Sequence, residues 1–161
     1  MTDATPLWDF DDPAGSEQRL REAAEACETA DRLVLMTQVA RALGLQEKYD
    51  EAHAVLDDLS PTSDEIATRI VLERGRLFRS TGSLEEARPQ FQAAEQTATA
   101  AGLDALRVDA LHMIALAAEP ADQLALHRRH RANRLVVRAP RECQIRGIDP
   151  HEQLAALDGL P

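Results

Sequence analysis

The densest group of residues that could do chemistry is the run His127-Arg128-Arg129-His130-Arg131. Histidines three positions apart share one face of a helix, and their imidazole nitrogens are common metal ligands. Three arginines in the same run would repel a cation, and no carboxylate or cysteine nearby completes a set of ligands. The run is therefore interpreted as the basic end of a helix, where positive charge interacts favourably with the helix dipole.

Catalytic motifs are absent from the sequence. It has no glycine-rich phosphate loop, no G-x-S-x-G, no H-E-x-x-H and no paired-cysteine metal spacing. The lone histidines His53 and His112 are interpreted as surface or core-edge residues, and Cys27 and Cys143 as inert thiols. We predict that the protein is not an enzyme and needs neither a cofactor nor a metal.

Charge divides the chain into two parts. The net charge is −10, but residues 128–161 carry seven arginines against four acidic residues and are therefore +3, which leaves −13 for the rest. This asymmetry predicts two different surfaces. Contact of the Arg-rich part with nucleic acid is one alternative function, although that part has no interleaved aromatic residues and the acidic chain as a whole is a poor match to phosphate.

The elements that must position these residues are helices. The chain is 44% hydrophobic but only 3% aromatic, which suits closely packed helices better than sheets. We predict a flexible acidic N-terminus over residues 1–12, a helical domain over 13–131, and an Arg-rich segment over 132–161 with a short helix near 150–158. Capping residues and apolar spacing predict three helices in the first part of the chain, near 13–28, from Thr29 or Asp31 to Gly44, and from Tyr49 to Ser60. Capping boxes at 62–65 and 83–86 predict two more, and a sixth helix is predicted after Gly102.

Between Met36 and Phe91 the sequence repeats at an interval of 35 residues. Five pairs of similar residues lie at this interval: Ala40 and Gly75, Leu43 and Phe78, Tyr49 and Leu84, Ala52 and Ala87, Leu56 and Phe91. A fixed period of this size is typical of helical repeat arrays. Ala110 and Met113 continue the interval, but alanine is missing at Asp122, so a third unit is predicted only for its first helix.

The second unit resembles the tetratricopeptide repeat. It contains Gly75-x-x-Phe78, the turn Thr81-Gly82-Ser83, then Ala87 and Phe91, although Arg74 replaces the family's leucine and both units lack its opening tryptophan. The resemblance implies an all-α fold, a right-handed array of stacked helical hairpins, here with a C-terminal helix capping the open end. It also implies a non-catalytic scaffold that binds a peptide or helix of a partner protein in its concave groove.

In that family the first helix of each pair lines the groove. Carried over to this chain, the geometry directs eight residues towards it: Thr37, Arg41, Arg69, Leu72, Glu73, Arg76, Arg79 and Arg107. Five arginines in this set suggest an acidic peptide or carboxylate ligand. The alternative is that they are ordinary solvated residues paired with Glu73 and Asp104. The lysines and asparagines with which one subclass of the family binds chaperone C-termini are absent.

Two further expectations concern assembly and location. Fewer than three complete repeats leave apolar ends exposed, so the chain could also serve as an oligomerisation module. No apolar run approaches the ~20 residues that span a bilayer, and the acidic start lacks the features of a signal peptide. We therefore predict no membrane association and a cytoplasmic location.

Overall fold

Six α-helices make up most of the protein in a computed structural model that describes residues 4–118. They are α1 (Pro13–Glu25), α2 (Thr29–Leu45), α3 (Tyr49–Asp57), α4 (Asp64–Ser80), α5 (Leu84–Ala100) and α6 (Asp104–Leu116), preceded by a short 3-10 helix at Thr5–Leu7. No strand occurs in this range, which confirms the all-α prediction there. The second half of the third unit, the histidine and arginine run at 127–131, the Arg-rich segment 132–161 and the helix near 150–158 lie outside the described residues.

The 35-residue interval of the sequence is also the interval of the helices. Helix α4 begins and ends 35 residues after α2, and α5 begins 35 residues after α3. The two turns between paired helices match as well. Glu47 and Gly82 both have positive φ (62° and 82°), and the next residue of each turn donates its N–H to the carbonyl five positions back. This bond closes the helix end in a Schellman-type cap.

Helix starts follow the predicted caps only in part. The side chains of Asp12 and Ser63 accept hydrogen bonds from Gly15 N and Ile66 N and so cap α1 and α4. Ser83 occupies the N-cap position of α5 but makes no capping hydrogen bond, so the second capping box is wrong. Helix α3 ends at Asp57, three residues before the predicted stop at Ser60.

Each helix packs on the next one along the chain, and α2, α4 and α6 also contact one another in that order. Two apolar clusters result. The first is built from α1, α2, α3 and part of α4, and the second from Leu72 of α4 together with α5 and α6. Gly75 and Phe91 form the closest approach within the second cluster, because a Cβ added at Gly75 would lie 2.5 Å from the Phe91 ring.

Residues 4–12, part of the N-terminus predicted to be flexible over 1–12, contact the helices that follow. Leu7 and Trp8 pack against the first apolar cluster, and the guanidinium of Arg19 donates to the Leu7 carbonyl. Within the described part of the chain, none of the helices combines the length and apolar character needed to cross a bilayer.

Candidate functional site

A groove of about 320 Å³ lies along α2, α4 and α6, the first helix of each predicted pair. Its lining combines three arginines, two carboxylates and a histidine with apolar side chains. The lining residues are Arg41, Gly44 and Leu45 of α2, Glu73, Arg76, Leu77, Arg79 and Ser80 of α4, and Asp109, His112, Met113 and Leu116 of α6.

Arg76 is held by two carboxylates at the centre of the groove. Its guanidinium donates to Glu73 Oε1 at 2.5 Å and to both oxygens of Asp109 at 2.6 Å, so that it ties α4 to α6. The side chains of Arg76 and Glu73 are only 14% and 4% exposed, whereas that of Asp109 is 37% exposed. Because its guanidinium is already bonded to Glu73 and Asp109, Arg76 joins α4 to α6 and has a structural role in the groove.

Glu73 is a buried carboxyl group with one unsatisfied oxygen. Its Oε2 has no hydrogen-bond partner within the described residues. Burial raises the pKa of Glu73 above its ordinary value; the nearby charges of Arg76 and Arg41 oppose this rise, and Asp109 adds to it. Taking a carboxylate out of water disfavours its charged form, and here that effect outweighs the attraction of the two guanidiniums.

This raised pKa predicts a pH dependence of stability. The folded state holds the Glu73 proton more tightly than the unfolded state, so the free energy of unfolding should fall as pH rises from the ordinary carboxyl value of 4.5 to the higher folded pKa. Urea titrations across this window should show the decrease. In the variant Glu73→Gln the position no longer titrates, so its stability curve should lack this component. Parallel curves for the two proteins would contradict the prediction.

Two other guanidiniums in the groove have free donors. Arg79 is exposed, and its side chain makes no hydrogen bond or ion pair with any residue in 4–118. Arg41 is partly buried and makes no hydrogen bond or ion pair in that same range; its guanidinium lies over the rings of Trp8 and Phe10, and its charge acts on nearby Glu73. These two arginines, and not Arg76, are therefore the cations that an incoming carboxylate could reach.

The structure places three of the predicted arginines, Arg41, Arg76 and Arg79, in the groove. Arg69 does not line it and instead pairs with Glu65 one turn earlier on α4, at 2.9 Å. The alternative interpretation, that the arginines are paired with acidic residues of the protein, therefore applies to Arg69. It applies in part to Arg76, which pairs with Glu73 as that alternative stated, but whose second partner is Asp109 and not Asp104.

Three other predicted groove residues were assigned to the wrong helix face. Leu72 is 1% exposed in the second apolar cluster, and Thr37 is fully buried with its hydroxyl donating to the Val34 carbonyl. Arg107 lies near Glu95 of α5, with 3.8 Å between Nε and the carboxylate oxygen. The three positions are equivalent in the 35-residue interval, so a single error of face explains all of them.

Sequence reasoning assigned only Arg107 of α6 to the groove and missed the residues of that helix that line it. Asp109, His112, Met113 and Leu116 are spaced at i, i+3, i+4 and i+7 and form one stripe of the helix. The 35-residue interval would also have found one missed residue of α2, since Gly44 corresponds to the predicted Arg79.

Among residues 4–118 no three histidine, cysteine or acidic side chains are grouped so as to hold a metal ion. Comparison of the chain with protein-family models, with curated proteins and with solved structures finds no match. The groove is thus described by its own geometry alone.

Proposed function

We propose that the protein is a non-catalytic interaction module, built as a right-handed tetratricopeptide-like stack, that binds a segment of a partner protein in the groove along α2, α4 and α6. The observation that supports it most directly is the pair of available guanidiniums, Arg41 and Arg79, beside an apolar lining. The matching helix bounds and turn geometry at 35 residues support the tetratricopeptide-like arrangement.

The lining selects the chemistry of the partner segment. Leu45 and Leu116 offer apolar surface to a partner, and Leu45 is 49% exposed, whereas Leu77 and Met113 beneath them are buried. The two carboxylates of the groove are bonded to Arg76, so the N–H donors of Arg41 and Arg79 remain available to a ligand. An amphipathic segment with acidic residues on its polar side matches both features, because charge-assisted hydrogen bonds to arginine are stronger than neutral ones.

Reversing the charge at Arg79 should test this proposal. Random-sequence peptides displayed as a library and selected on the full chain should be enriched in acidic residues. In the variant Arg79→Glu their affinity should fall by about tenfold or more, equal to about 1.4 kcal/mol. The matched control is Arg32→Glu, an equally exposed arginine on α2 that does not line the groove.

Binding by both variants at the wild-type affinity would remove Arg79 from the partner surface. Selection of no peptide at all would contradict the interaction function itself. A cytoplasmic location is part of the same proposal, and fractionation of the source cells tests it.

A further inference from the structure

Two aromatic residues, Trp8 and Phe10, lie beside the groove, in the segment before α1. The rings of Trp8 and Phe10 are stacked, with centroids 5.1 Å apart and an angle of 10° between their planes. Trp8 is partly buried against the first apolar cluster, whereas Phe10 is 64% exposed, the largest value of any large apolar side chain in the described part of the chain. The outer ring therefore presents apolar surface to solvent.

Hydrogen bonds to α1 fix this segment in place. The N–H of Asp9 donates to the hydroxyl of Ser16 at 2.8 Å, and Ser16 is fully buried. Arg19 Nε donates to the Leu7 carbonyl at 3.1 Å, and Asp12 caps α1. The backbone on both sides of the aromatic pair is thus held by hydrogen bonds to α1, and the fold itself keeps the Phe10 ring exposed.

Arg41 connects the aromatic pair to the groove. Its guanidinium carbon lies 5.7 Å from the centroid of the Trp8 ring and 5.9 Å from that of Phe10, within the range of a cation–π contact. The same side chain lines the groove, so the aromatic pair and the groove form one continuous surface. The ring contacts hold the guanidinium in position, and its N–H donors have no partner among residues 4–118.

We propose that Trp8, Phe10 and Arg41 form a second binding subsite for the partner segment that occupies the groove. The segment extends from the groove across Arg41, which binds one of its carboxylates, and places a large apolar or aromatic side chain on the outer face of Phe10. This inference rests on the proposed function and adds a sequence requirement to it, an acidic residue next to a large apolar one.

Charge and composition both favour this occupant. No acidic side chain in 4–118 forms a hydrogen bond or ion pair with Arg41 or Arg79, so a bound molecule that carries negative charge complements these two guanidiniums. Exposed aromatic residues next to arginine are enriched in the centres of protein interfaces, where a rigid ring buries much area at a small cost in side-chain entropy.

The single tryptophan of the chain gives a direct assay of this subsite. Peptides selected on the full chain, free of tryptophan and dependent on Arg79, are titrated while Trp8 fluorescence is followed. Binding should shift the emission to shorter wavelength, and the selected sequences should contain an acidic residue next to a large apolar one. Phe10→Ala should weaken binding about tenfold, whereas Leu84→Ala, which removes an exposed apolar side chain outside the groove, should not.

Peptides that bind in an Arg79-dependent way but leave Trp8 emission and the Phe10→Ala affinity unchanged would overturn the subsite and leave the groove intact. The absence of any selected peptide would overturn both proposals. A change of Trp8 emission with protein concentration alone, accompanied by dimers in sedimentation, would overturn the partner subsite and identify a second copy of the chain as its occupant. Circular dichroism confirms that Phe10→Ala is folded before binding is compared.

Discussion

Replacing Arg76 with glutamate should destabilise the protein by about 3–5 kcal/mol or more. The arginine is the shared partner of Glu73 and Asp109, with a side chain only 14% exposed. Its reversal leaves a buried carboxylate without compensation and adds a third negative charge beside it. Chemical denaturation followed by circular dichroism measures the effect, and we expect a lower denaturation midpoint.

The matched control is the same substitution one helical turn later. Arg79 is exposed and unpaired within the described residues, so Arg79→Glu should change stability by no more than about 0.5 kcal/mol. Equal destabilisation by the two substitutions would show that Arg76 has no special role in joining α4 to α6. Since Arg76→Glu is expected to disturb the fold, Arg79 and not Arg76 is the residue with which to test partner binding.

Truncating Phe91 to alanine should have an effect of similar size, about 3–5 kcal/mol. Phe91 is the largest side chain that is fully buried in the described part of the protein, and it fills the second apolar cluster between α4, α5 and α6. Its removal combines a loss of apolar burial with a cavity. Thermal and urea unfolding of the variant measure the loss, and a change below about 1 kcal/mol would contradict the described packing.

Gly75 supplies a second, independent check of the same contact. In the wild-type chain Gly75→Ala should be destabilising by about 1–3 kcal/mol, because the new Cβ would lie 2.5 Å from the Phe91 ring. In the Phe91→Ala background the ring contacts are gone and Gln90 Cβ remains at 3.1 Å, so the higher helix propensity of alanine, about 1 kcal/mol, should make Gly75→Ala clearly less destabilising than in the wild-type chain. The same loss in both backgrounds would mean that the two residues do not touch.

The sequence predicted helix order and register well, because caps, turn residues and a 35-residue interval are local signals. Thr29, one of the two predicted starts, begins α2, and the cap of α4 is Ser63, one residue after the start of the predicted box at 62–65. The assignment of helix faces was less successful. A helix with neighbours on two sides buries two faces, as α2 does with Leu35 and Val39 on one side and Thr37 and Ala40 on the other, so helical spacing alone cannot separate the groove face from a packed one.

Other parts of the site depend on contacts distant in sequence. Arg76 and Asp109 are 33 positions apart, and nothing in either local pattern identifies them as partners. Likewise, an acidic, short N-terminal stretch resembles a flexible end in composition. The contacts that hold it come from Ser16 and Arg19 of α1, and from Arg41 of α2, whose positions only the folded chain defines.

Helix α4 is the one element of the described chain that gives buried side chains to both apolar clusters, Ile66, Ile70 and Leu77 to the first and Leu72 to the second. The cooperativity of unfolding between the two ends of the molecule therefore passes through this helix. A change in α1 weakens one cluster, and a change in α6 weakens the other, whereas a change in the middle of α4 loosens both. Within the described residues, this arrangement permits one cluster to open while the other stays folded.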